Sequence, residues 1–166
     1  GLGSAYIAGF RQALQNGAEL VLEMDADGSH DPADIPRLLS AAENADLVIG
    51  SRKVPGGRIV DWNYRRHLAS NLAMCFSRLL LGLKTKDVTA GFRCFRRHVL
   101  ERIPLEHIAA SGYAFQEEML FRTEQAKFRV VEIPVTFLDR IEGQSKLSKR
   151  DIWEFFIVMI KLWWKS

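Results

Sequence analysis

Apolar residues recur at helical spacing in residues 4–16, where Tyr6, Ile7, Phe10 and Leu14 share a face. Asn16-Gly17 closes that helix. ELVLEM (19–24) is then a largely apolar run of strand length. DPADIPRLLSAAEN (31–44) predicts a short helix with Asp31 as its cap and Pro32 in its first turn. DLVIGSR (46–52) is a second strand, and VPGGRIVD (54–61) a loop punctuated by Pro and Gly. Residues 62–81 form a long helix, 84–91 a loop, 92–95 a short strand and 96–103 a short helix. A third substantial helix covers 112–126. FRVVEIPVTFLD (128–139) alternates and is β-branched, with Pro134 marking an edge or a bulge. RIEGQSKLSKR (140–150) is a basic loop, and 151–164 a very apolar helix.

Strands alternating with helices predict an α/β protein with a mostly parallel sheet flanked by helices. Ligands of such sheets sit beyond the carboxyl ends of the strands. There the first strand runs into EMDADGSHDP, which sets Glu23, Asp25, Asp27 and Asp31 within nine residues. Asp25 and Asp27 are two apart, so an extended backbone turns both carboxylates to one side. A hard divalent cation, Mg²⁺ or Mn²⁺, between them offsets their repulsion. Asp31 is read as a helix cap only.

The 166 residues, 48% hydrophobic and 26% charged, suit one globular domain. A net charge of +3 is too mild a bias to make nucleic acid the partner. Cys75 and Cys94 are far apart and read as free thiols. No uncharged run of eighteen apolar residues provides a complete membrane span. The four histidines show no ligand spacing. Arg52, Arg65, Arg66, Arg140 and Lys146 lie at strand ends, helix starts or in loops, and arginine forks suit phosphate oxygens.

GLGSAY, MDADGSHDP, IGSR, the Arg65-Arg66 helix start, DVTAGFRCF, GYAFQEEM and VEIPVTFLDRIEGQSKLS follow one another in order. This series resembles the polyprenol-phosphate (dolichol-phosphate) mannose synthases, within the family 2 inverting glycosyltransferases. DAD alone is weak evidence; DAD, GFR, FQxEM and DRxxGxSK together are specific. The resemblance implies a GT-A-like, Rossmann-like fold over residues 1–150, a nucleotide-sugar donor and a polyprenyl or dolichyl phosphate acceptor. It implies metal ligation by Asp25 and Asp27, with Ser29 joining the shell. Asp27, Arg52 and Arg140 become the catalytic set around the donor diphosphate. Arg65 and Arg66 fall near the acceptor phosphate, Asp87, Gln116 and Glu118 line the acceptor side, and Gly143, Ser145 and Lys146 close over the phosphates. Mannose from GDP-mannose is the usual reading, with a membrane-anchor subunit as a further partner.

The family begins with PxYNE-like and DDxSxDGT-like segments that hold the base and ribose, and neither is present in this sequence. The expectation is a chain lacking its N-terminal strands. DIWEFFIVMIKLWWKS (151–166) carries Trp and Lys around a largely apolar surface. It reads either as a helix lying on a membrane, with the protein peripheral to the cytoplasmic face, or as a packing helix or half of a membrane span. Two rival functions stand beside the transferase. DADGS resembles the DxDGT nucleophile motif of haloacid dehalogenase-type phosphatases, and a non-catalytic fragment is the other reading.

Overall fold

The computed structural model describes residues 2–108, 110, 112, 114–139 and 149–164. Helix α1 (Leu2–Gln15) leads into strand β1 (Leu20–Glu23). A 3-10 turn at Pro32–Asp34 enters α2 (Ile35–Ala41), and Asp31 caps it by accepting the Ala33 N–H at 2.9 Å. Strand β2 (Leu47–Ser51) follows, then the two-residue β3 (Arg58–Ile59) inside the segment expected to be all loop. Helix α3 (Tyr64–Leu81) begins two residues later than predicted, because Asn63 accepts the Arg66 N–H at 2.9 Å and caps it there. Gly82, at φ 67°, ends it in the left-handed conformation. Then come β4 (Arg93–Arg96), α4 (Arg97–Arg102), α5 (Phe115–Gln125), β5 (Val130–Pro134), β6 (Thr136–Phe137) and α6 (Lys149–Trp164).

The main sheet has the order β1-β4-β2-β5. β2 and β5 pair in parallel, Leu47 opposite Val130. β4 is antiparallel to both β1 and β2, with Arg93 opposite Glu23 and Ile49. So β1, β2 and β5 share a direction, but one reversed strand is threaded between the first two, and with two of the three pairings antiparallel the sheet is mixed rather than mostly parallel. β5 is an edge strand of this sheet, which suits Pro134 at its end. β3 and β6 form a small parallel ribbon beside it.

Alternation along the strands splits the core in two. Leu47, Ile49 and Phe95 join Phe10, Met74, Phe115, Met119 and Met159 on one face. Val48, Cys94 and Phe92 join Leu38, Ala42 and Val135 on the other, beneath α2. The first face also takes Val158 and Leu162 of α6, so one side of that helix is core. At the amino ends of the strands Asp46 accepts the Arg129 N–H at 2.7 Å and lies 2.8 Å from His98 Nε2, tying β2 to β5 and α4. Both cysteines are free thiols.

Candidate active site

The carboxyl ends of β1, β2 and β5 lie at one edge of the sheet. Because β4 runs the other way, the loop that precedes it, residues 83–92, arrives at that same edge. The reversal therefore brings a fourth segment to the site.

Asp25 and Asp27 leave this edge just past β1, both partly exposed. Asp27 Oδ1 accepts the Ser29 N–H at 3.0 Å, which closes a tight turn over Gly28 at φ 77°. Asp25 is 35% exposed, 3.7 Å from His30 Nε2, and accepts the Tyr6 hydroxyl at 3.4 Å. Tyr6 stacks on Phe115 at 5.2 Å, so α1 and α5 both reach the acidic turn. Gly91 abuts it from the other side: a Cβ there would sit 3.0 Å from both Asp25 oxygens. Ser29 departs from expectation. It is fully buried, its carbonyl accepts the Leu138 N–H at 3.0 Å, and its Oγ has no hydrogen-bond partner among the described residues. It ties the turn to the segment after β6 rather than presenting its hydroxyl on the exposed side with Asp27.

Among the described residues no three His, Cys, Asp or Glu side chains converge as a metal cage. Two partly exposed carboxylates of one turn are the donor set that a hard cation shares with water and phosphate oxygens. The residues present fit Mg²⁺ or Mn²⁺ held jointly with a ligand.

Arg52 and Asp87, assigned above to donor and acceptor sides, meet each other instead. Asp87 accepts from Arg52 Nε at 2.8 Å, Nη2 at 2.6 Å and the backbone N at 2.8 Å. Thr89 Oγ1 takes a further Nη2 bond at 2.7 Å. The pair is buried. Burial alone would raise the Asp87 pKa, and the Arg52 fork overcomes that and holds it below the usual carboxylate range. Arg52 also feels the charge of Asp25 and Glu117, and its guanidinium lies 5.2 Å from the Phe137 ring. Gly57 fits against the end of β2, where a Cβ would approach Ser51 O to 2.5 Å.

Arg66 stacks on Trp62 at 4.1 Å and bonds both Asp139 oxygens at 2.8 Å. Arg65 is exposed beside it at the start of α3. Glu118 is a correction: it is fully buried, accepting from Ala110 N at 2.9 Å and from Arg122 at 2.6 and 3.0 Å. It braces α5 against the preceding segment and does not line a ligand surface. Gln116 is buried, with its carbonyl accepting from Arg93. Arg140, Gly143, Ser145 and Lys146 lie outside the described residues.

Beneath the site is a group that sequence reasoning missed. Arg93, fully buried, donates to Ala90 O at 2.7 Å, Gln116 O at 2.8 Å and Val88 O at 2.9 Å. Glu23 Oε1 lies 3.8 Å away, and Glu117 is close enough to feel the same charge. Burial pushes Glu23 up to about 7 and Glu117 up to about 8, with Arg93 opposing both. The GFR motif was the available signal for Arg93. Glu117 lay between two residues that had been assigned roles.

An acidic turn at the carboxyl edge of an α/β sheet is a place where a phosphate-bearing ligand and a hard cation can be held together. Residues 1–104 match Glycosyl transferase family 2, and the chain belongs to that family. It is 51% identical over 148 residues to the undecaprenyl-phosphate mannosyltransferase of Micrococcus luteus, covering 89% of this chain and 61% of that one. It is 48% identical over 155 residues to the polyprenol monophosphomannose synthase of Mycolicibacterium smegmatis, covering 93% and 58%. The chain thus spans about three fifths of these relatives. Its fold is shared with the glucosyl-3-phosphoglycerate synthase of Mycobacterium tuberculosis, solved with uridine-diphosphate (TM-score 0.55, 16% identity, 94% of this chain and 52% of that one). Family membership displaces the phosphatase reading of DADGS.

Proposed function

We propose that the protein carrying this chain moves a mannosyl group, with inversion, from a nucleotide sugar, GDP-mannose, to a polyprenyl phosphate. The observation that carries this is the acidic turn at the sheet edge, Asp25 and Asp27, in a chain half identical to a mannosyltransferase acting on undecaprenyl phosphate. Asp25 and Asp27 hold Mg²⁺ or Mn²⁺, which when bound supplies Lewis-acid charge to the departing diphosphate. Arg52, anchored by Asp87, contributes positive charge from behind the turn. Arg65 projects from the start of α3, where the helix dipole also favours the acceptor phosphate, and Arg66 stands next to it. That phosphate needs no strong base, since its second pKa is about 6. Arg140, Gly143, Ser145 and Lys146 keep the diphosphate role that the resemblance gives them.

The lipid acceptor is supported by α3 and α6. They pack on each other through Phe76 and Phe156, ring centres 5.2 Å apart. Outward they leave Leu72 62%, Leu79 79%, Trp153 70% and Trp164 81% exposed. No helix among the described residues is long and apolar enough to cross a membrane. Such a surface suits lying on one, with Trp at the interface, and in this reading these two helices rest on the cytoplasmic face of the membrane that holds the acceptor.

The test is transfer of radiolabelled mannose from GDP-mannose to polyprenyl phosphate by the full-length gene product, with and without Mn²⁺. Chloroform-extractable label that needs metal, and falls about a hundredfold or more in Asp27→Asn, is the expected result. Equal labelling by the variant and without metal overturns it. Gly91→Ala checks the turn separately. The atoms nearest the new methyl group are the carboxyl end of the Asp25 side chain, which can give by a few tenths of an ångström, so the thermal midpoint should stay put while Mn²⁺ binding, followed by calorimetry, weakens roughly tenfold. Unchanged Mn²⁺ binding would remove Gly91 from that role.

A further inference from the structure

Four consecutive backbone N–H groups in the loop after α3 are each captured by a carboxylate. Glu124, at the end of α5, accepts from Lys84 N at 2.9 Å and Thr85 N at 3.1 Å, and from Thr85 Oγ1 at 2.6 Å. Glu132, in the middle of β5, accepts from Lys86 N at 2.8 Å and Asp87 N at 3.0 Å. An irregular loop has no ladder to satisfy its amides, and a charged acceptor makes the stronger kind of bond. Two distant acids therefore do for this loop what a neighbouring strand does for β2.

The second clamp matters more than the first, because the residue it grips is Asp87. That carboxylate receives three Arg52 donors, and Arg52 also bonds Thr89 at 2.7 Å, two residues before the Gly91 that abuts Asp25. A guanidinium beside a carboxylate turn has two possible partners. Held on Asp87, it leaves the Asp25 oxygens to a cation. Released, it forms its own fork with Asp25 and competes with that cation. We propose that Glu132 is a positioning residue for the acidic turn: by fixing Asp87 it keeps Arg52 off Asp25. This rests on the metal-assisted transferase reading for its consequence, though not for its geometry. Glu132 touches neither Asp25 nor Arg52, and acts through the loop.

The test uses the full-length gene product with Glu132→Gln, and with Glu124→Gln as the control for general loosening of the same loop. Two readouts are taken. Hydrogen exchange at the Arg52 Nε–H, followed by ¹⁵N NMR, needs no turnover. It should quicken at least tenfold in Glu132→Gln and little in Glu124→Gln. Mn²⁺ affinity should fall about tenfold in Glu132→Gln, as expected for a residue one shell behind a ligand. With Mn²⁺ saturating, the KM for the nucleotide sugar should be unchanged. If Glu132→Gln does not fold, Glu132→Asp, which keeps the charge but is one methylene shorter, should show the same two changes at smaller size. Unaltered Arg52 exchange, or equal effects from both glutamates, overturns the proposal. A wild-type protein that binds Mn²⁺ but transfers no mannose would sink the transferase reading while leaving the exchange result to decide on Glu132.

Discussion

Arg93→Met should destabilise the protein by roughly 3–5 kcal/mol, enough to unfold much of it at 37 °C. Methionine nearly fills the volume, so the loss is one of charge and hydrogen bonding. The guanidinium serves three carbonyls, of Val88, Ala90 and Gln116. Each buried acceptor left unmet costs on the order of 1–3 kcal/mol. The same change removes the cation that opposes the burial penalty of Glu23 and Glu117, so keeping each of them in the fold costs more. Adding Glu117→Gln to Arg93→Met should therefore recover part of the loss, because glutamine is buried without having to take up a proton. Urea unfolding of the full-length protein measures both. A single variant as stable as wild type would show that Arg93 does not organise this edge.

Glu117→Gln alone should change how stability depends on pH, and in the opposite sense to an acid that the fold holds ionised in a salt bridge. The folded carboxyl is pushed up to about 8, whereas the free side chain titrates at 4.5. Between those values the native state holds a proton that the unfolded chain has released, so wild-type stability falls as pH rises through this interval. Glutamine has no proton to lose. Relative to wild type the variant should gain with each step from pH 5 to pH 8, by about 2–4 kcal/mol over the range, then level off. Some decline remains in the variant up to about pH 7, from Glu23. Denaturant midpoints at several pH values decide it. A constant difference between the two proteins would mean that Glu117 is not protonated in the fold.

Much of the site could be read in the sequence because its parts are local. The apolar run before EMDADGSHDP, the Asp25–Asp27 spacing and the Asp31 cap all depend on residues within a few positions of one another. The reversed β4 could not be read, since alternation says which face a side chain takes and nothing about the strand's direction. The Arg52–Asp87 pair joins residues 35 apart, each of which looks like a loop charge available to a ligand. Arg93 was missed for a related reason. Arginine is seldom fully buried, so a strand reading FRCF suggests an exposed arginine within it. Glu118 was assigned to the ligand side from its motif, yet helical spacing turns it toward Arg122 four residues on.

The threading of β4 also bears on how the chain acquires its shape as it is made. β2 is buried along its whole length, and its two ladder partners, β4 and β5, are both encoded downstream of it. While the ribosome is still adding residues 52–92, an apolar LVIGS segment exists with neither edge covered. Such an edge invites pairing with other nascent chains. Release of β4 then closes one side of β2 and one side of β1 at once. A pause in translation before β4 has emerged would thus lengthen the window for misassembly, and one after β5 has emerged would come too late to matter for β2.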